Sequence, residues 1–186
     1  MAGLGLSVSP GFLLLAATVY FIGGLGALAA LAAAALAHEL GHLAAMFMAG
    51  VSVRGVRLTA CGPVIEYGGG ITRREEMGIL AAGPLAGLFF AALCFITDVP
   101  FLCYTGAIAL LAAMFNLLPV MPMDGGRMAQ YLLETVMPPQ AAEVVLRVTG
   151  SLCAVGVLAT GVCIRSVSAA AVGIWMGVLA NFPDLR

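Results

Sequence analysis

Apolar positions run through this chain in long unbroken stretches, and charged positions are confined to a few short intervals. No charged residue occurs in residues 1–37, 77–97, 99–123, 148–164 or 166–183. A membrane-spanning helix needs about 20 mainly apolar residues. The first stretch continues apolar past His38 to Gly50, enough for two spans, with a glycine-rich break at Gly23–Gly26. The pattern predicts spans near 9–23, 25–49, 76–97, 101–117, 142–163 and 166–182. Pro10 fits the first turn of a helix, where its missing N–H costs nothing, and Gly50 ends the second span. From Gly50 to Gly70 the period changes. VSVRGVRLTACGPVIEYGGG is β-branched and alternating, which predicts a hairpin with a Gly-Pro turn at 62–63. A second polar stretch runs from about Leu118 to Ala141.

Composition agrees. Of 186 residues, 62% are hydrophobic and 9% charged, with a mean hydropathy of +1.11. A soluble domain carries about 25% charged residues, and so short a chain cannot hide this much apolar surface inside a globule. Lipid is the solvent for the remainder. The expected fold is an all-α polytopic membrane protein with about six transmembrane helices and a short β-hairpin between the second and third. It is expected to be a single membrane-embedded domain over 1–186, without internal repeats. The N-terminus lacks the positive n-region of a cleavable signal peptide. A net charge of −1 gives no basis for nucleic-acid binding. Cys61, Cys94, Cys103, Cys153 and Cys163 form no CxxC pair and read as small packing residues.

The arginines orient the chain. With a cytosolic N-terminus, Arg54, Arg57, Arg73, Arg74, Arg127, Arg147 and Arg186 fall on the cytosolic side, and Arg165 alone falls outside. The positive-inside rule favours that orientation, with both termini cytosolic in a multi-pass cell-membrane protein.

The only two histidines, His38 and His42, stand in HELGH. On a helix, positions i and i+4 share a face, so both imidazoles can reach one metal ion, and Glu39 beside them can act on a metal-activated water. Ionisable groups inside a membrane span are costly and mark function. Catalytic zinc usually keeps three protein ligands, which leaves the third to Asp, Glu or Cys. Asp98 falls at the opposite membrane face. Glu75 and Glu76 lie beside Arg73 and Arg74 and read as a surface ion-pair cluster. Glu134 reads as solvated and Glu66 as a hairpin surface charge. Asp124 follows NLLPVMP and precedes Gly125–Gly126, where Pro119 and Pro122 must break span four. The glycines there supply conformational freedom. Asp124 thus stands at the inner end of span four either as a ligand or as the N-cap of a helix over 125–136.

Together these residues resemble the site-2 proteases, intramembrane zinc metalloproteases that cut membrane-associated regulatory proteins. HELGH at 38–42, AAGPLAG at 81–87 and NLLPVMPMDGGR at 116–127 carry the resemblance. Met123 replaces the usual leucine, and Gly87 stands where many members have asparagine. The resemblance implies one zinc per chain held by His38, His42 and Asp124, with Glu39 as general base. It gives Asn116 a role in substrate binding, set against a capping role where span four breaks. It also implies a catalytic core over about 25–127 with accessory helices at 9–23 and 142–182. The compact layout looks most like the branch of the stage IV sporulation protease, which implies a substrate such as a sigma-factor precursor or an anti-sigma factor, and possible control by a membrane partner. Control through a PDZ insertion or a domain after the last span is not expected. The competing readings are a metal-binding transporter and a non-haem iron enzyme using the same donors.

Overall fold

The computed structural model describes residues 5–59, 62–68 and 70–181. Cys61 and Arg186 lie outside the described residues, as do the side chains of Arg54 and Glu66. The chain forms two compact units, Met1–Met114 and Phe115–Arg186.

The first unit runs β1 (Gly5–Val8), α1 (Pro10–Met48), β2 (Ser52–Thr59), β3 (Gly62–Gly68), α2 (Arg73–Ile96) and most of α3 (Pro100–Asn116). The first two expected spans form α1, which is interrupted at Gly24, where φ is 72° and ψ −174°. The expected glycine break is therefore real. A Cβ at Gly24 would meet nothing, so backbone conformation, not crowding, requires glycine there. Ser9 caps the start of α1, its hydroxyl accepting from the Phe12 N–H at 3.3 Å, and Pro10 follows in the first turn. At the other end Gly50 takes φ 68°. The Gly50 N–H donates to the Phe47 carbonyl and the Val51 N–H to the Met46 carbonyl, the paired bonds of a Schellman cap. Helix α2 opens with a capping box in which Thr72 and Glu75 satisfy each other's backbone N–H groups.

Alanine and glycine let these helices close on one another. Ala34 of α1, Ala91 of α2 and Ala109 of α3 form a buried cluster flanked by Phe90, Ile108 and Leu110. Outward, Leu14, Phe21 and Ile22 of α1 and Phe89 and Ile96 of α2 are exposed. Small residues inside and large apolar residues outside is the arrangement of helices packed in lipid.

The sheet is larger than the expected hairpin. Its order is β1-β2-β3. β2 and β3 are antiparallel, with Arg57 opposite Val64 and Thr59 opposite Gly62. Gly62 and Pro63 therefore belong to β3 and do not form the turn; the register moves the connection to residues 60–61, outside the described residues. β1 pairs parallel with β2 over Gly55–Leu58. GLSV alternates, but a four-residue strand is too short to stand out beside a long apolar stretch, and its partner lies far along the chain.

The second unit carries α4 (Asp124–Leu133), α5 (Pro139–Cys163) and α6 (Val167–Asn181). Val120, Ala154 and Met176 are buried together, with Phe115, Leu118, Cys153, Val157 and Trp175 against them. The rings of Phe115 and Trp175 stack at 6.4 Å. Cys94, Cys103, Cys153 and Cys163 are free thiols, and Cys94 is buried, consistent with the packing role.

α1, α2 and α5 are long and apolar enough to cross a membrane, and α3 and α6 are shorter apolar helices. The helix bounds fall within a few residues of the six expected spans, so the all-α membrane architecture with a short β element stands.

Candidate metal centre

The second segment of α1 is rich in alanine and leucine, which favours helix at every step, and it places His38 and His42 one turn apart. Both histidines are buried, and Glu39 between them is half-buried. The imidazole rings meet edge to face with centroids 4.8 Å apart, and their Nε2 atoms are 3.1 Å apart.

His42 Nδ1 lies 2.7 Å from the Ile79 carbonyl oxygen on α2. A carbonyl only accepts, so Nδ1 carries the proton and donates, and in the neutral ring Nε2 keeps its lone pair. Such a hydrogen bond on the far nitrogen is what fixes the tautomer of a metal-ligating histidine. Two nitrogens on one tetrahedral zinc, each at about 2.0–2.1 Å, stand about 3.3 Å apart. The observed spacing and the fixed tautomer suit that ion.

Helix α2 is shaped to this pair. A Cβ on Gly83 would overlap the His42 ring, and one on Gly87 would come within 4.0 Å of His38 Nδ1 and 3.3 Å of the Ala113 Cβ. In the opposite direction, a Cβ on Gly41 would strike the Ala82 carbonyl. Gly83 lies within the AAGPLAG element, which by itself gives no role to the glycine, and the Ile79 carbonyl is not singled out by the sequence. The AAGPLAG element points to the right turn of α2, but a backbone acceptor has no side-chain signature.

In the second unit, Asn116 is the last residue of α3, and residues 117–123 are irregular. Asp124 is the first residue of α4 and not its N-cap; the cap position is Met123, which makes no side-chain cap bond. The role expected of Gly125 and Gly126 also changes. Both are helical and buried. A Cβ on Gly125 would strike the Leu117 carbonyl, and one on Gly126 the Val120 carbonyl. They are glycines because the 117–120 backbone lies directly over the start of α4.

The other carboxylates go elsewhere. Glu75 Oε2 accepts from Thr72 N and Oγ1, each at 2.8 Å, so it caps α2 and is not simply one of an ion-pair cluster. Glu134 accepts from Gln130 Nε2 at 2.9 Å. Asp98 is exposed in the α2–α3 connection, with φ 52°. Of the three ligands expected from the sequence, His38 and His42 are buried imidazoles and Asp124 is a half-buried carboxylate.

The model of Peptidase family M50 matches residues 97–156, a stretch that includes Asn116 and Asp124 but not HELGH. The solved site-2 protease from Methanocaldococcus jannaschii superposes with a TM-score of 0.75 at 21% identity, covering 97% of this chain and 90% of that one. The fold is that of a site-2 protease. Rip3 of Mycobacterium tuberculosis, named as a zinc metalloprotease, is 34% identical over 132 residues in strain Erdman, and the same holds in strain H37Rv. The alignment covers 63% of this chain and 33% of those relatives' length. The resemblance drawn from the three motifs therefore agrees with all three comparisons. None of them singles out the stage IV sporulation branch.

Proposed function

We propose that this chain is a zinc metallopeptidase of the site-2 protease type, hydrolysing a peptide bond of a membrane-associated protein within a lipid bilayer. The observation that carries the reading is the histidine pair: two buried Nε2 atoms 3.1 Å apart, one of them on a ring whose tautomer is fixed by Ile79. The M50 match and the relatives' names support it.

In this reading His38, His42 and Asp124 would hold one zinc ion. When bound, zinc supplies a Lewis acid that makes water nucleophilic near neutral pH and polarises the scissile carbonyl. Glu39 takes a proton from the attacking water as its oxygen bonds to the carbonyl carbon. It then delivers that proton to the amide nitrogen as the C–N bond breaks. No residue of the chain becomes acylated. Asn116, with both a donor and an acceptor on one amide, holds substrate backbone. The open edge of β3 pairs with an extended substrate segment.

The finer assignments belong to the same proposal. The single domain has its catalytic core over about 25–127. Both termini are cytosolic, by the arginine asymmetry. The substrate is a regulatory protein such as a sigma-factor precursor or an anti-sigma factor, the class implied by a likeness to the stage IV sporulation branch.

The deciding experiment compares wild type with Glu39→Gln in detergent, or in vesicles containing a candidate membrane substrate. A metallopeptidase keeps its metal in Glu39→Gln and loses peptide cleavage. A variant that still cleaves at the wild-type rate overturns the proposal, and a transporter would retain flux.

A further inference from the structure

We infer that Gly83 is a positioning residue for His42: the volume its missing side chain leaves is where the imidazole stands. The inference concerns α1 and α2 alone, and only its metal arm rests on the zinc reading above.

Three observations converge. His42, Ile79 and Gly83 are all buried, so no water competes for the contact. A Cβ built on Gly83 would fall on the His42 ring, overlapping Nε2 and Cε1 and reaching Cδ2 at 2.8 Å, and those ring atoms are its three nearest neighbours. The ring cannot swing aside cheaply. It is rigid, and its Nδ1 is held 2.7 Å from the Ile79 carbonyl, one turn before Gly83 on the same helix. Moving the ring to admit a methyl group would stretch that bond and shift Nε2, the atom presented to a metal. One turn of α2 thus sets both the tautomer of His42, through Ile79, and the position of its ring, through Gly83.

Gly78 is the natural control. It lies on the same helix, is exposed, and a Cβ there would meet nothing. In a helix, alanine is otherwise favoured over glycine, so any penalty at Gly83 must come from what the methyl group touches.

The test is a double-mutant cycle on the metal-free protein in detergent, with Gly83→Ala, His42→Ala, their combination and Gly78→Ala. The expected result is that Gly83→Ala lowers the melting temperature by several degrees when His42 is present and by none when it is alanine. Gly78→Ala should be neutral or stabilising. An equal penalty with and without the imidazole overturns the inference, because the glycine would then serve general helix packing. In parallel, zinc affinity is measured by chelator competition on folded Gly83→Ala, where it should fall by about 10-fold or more, as for other groups that orient a ligand. Wild-type affinity in that variant also overturns it. If wild type itself binds no zinc, the metallopeptidase reading fails, while the metal-free cycle still decides the role of Gly83. Nitrogen NMR of ¹⁵N-histidine protein, with only two histidines to resolve, should show His42 protonated at Nδ1. The opposite tautomer removes Ile79 from the account.

Discussion

The Nε2 atoms of His38 and His42 stand 3.1 Å apart inside one helix. Without a metal, that spacing is a hydrogen bond between the two rings; a tetrahedral zinc holding both nitrogens needs about the same separation. With the His42 proton placed on Nδ1 by Ile79, the His42 Nε2 lone pair can bind a metal ion.

Purified protein is expected to contain about one zinc per chain, as a three-ligand catalytic site implies. His38→Ala, His42→Ala and Asp124→Ala should each lower metal content severalfold or more and abolish cleavage, read by metal analysis and a peptide-release assay. Asp124→Ala with full zinc occupancy and normal cleavage would remove Asp124 from the ligand set.

Topology is tested with reporter fusions. Fusions after Arg74, Arg127 and Arg186 should report the cytosol, and one after Asp98 the outer face, because cytosolic loops collect arginine. A cytosolic signal at Asp98 contradicts the orientation.

The sheet separates two neighbouring positions that look equivalent in sequence. The Leu58 carbonyl accepts from the Ser9 N–H, so Leu58 turns its backbone groups towards β1. Backbone direction alternates along a strand. Arg57 therefore faces β3 and its partner Val64, and the N–H of Ile65 points to the open edge. Ile65→Pro should slow cleavage severalfold while the sheet and bound zinc persist. Val64→Pro should disrupt the β2–β3 ladder itself. Cleavage unaffected by Ile65→Pro would exclude strand pairing on that edge.

Gly125→Ala should destabilise the protein by about 1–3 kcal/mol, the usual cost of forcing a methyl group into filled space, because the Leu117 carbonyl occupies the position. Thermal unfolding in detergent measures it. A stabilised variant would mean that the 117–120 backbone yields freely.

Much of the molecule was legible in the sequence. Six apolar stretches set the helices, because lipid requires every backbone polar group to be bonded within its own segment. The break at Gly24, the cap at Gly50 and the helical face shared by His38 and His42 depend on residues within a turn or two of each other, and local conformation is written locally. Tertiary structure alone decided the rest. It set β1 beside β2, Gly62 and Pro63 within β3, Glu75 in a helix cap, Gly125 and Gly126 as contact glycines, and Ile79 and Gly83 around the His42 imidazole. Each depends on how close a backbone or ring from a distant part of the chain approaches. A glycine that leaves room for a neighbour, or a carbonyl that accepts from one, looks like any other until that neighbour arrives.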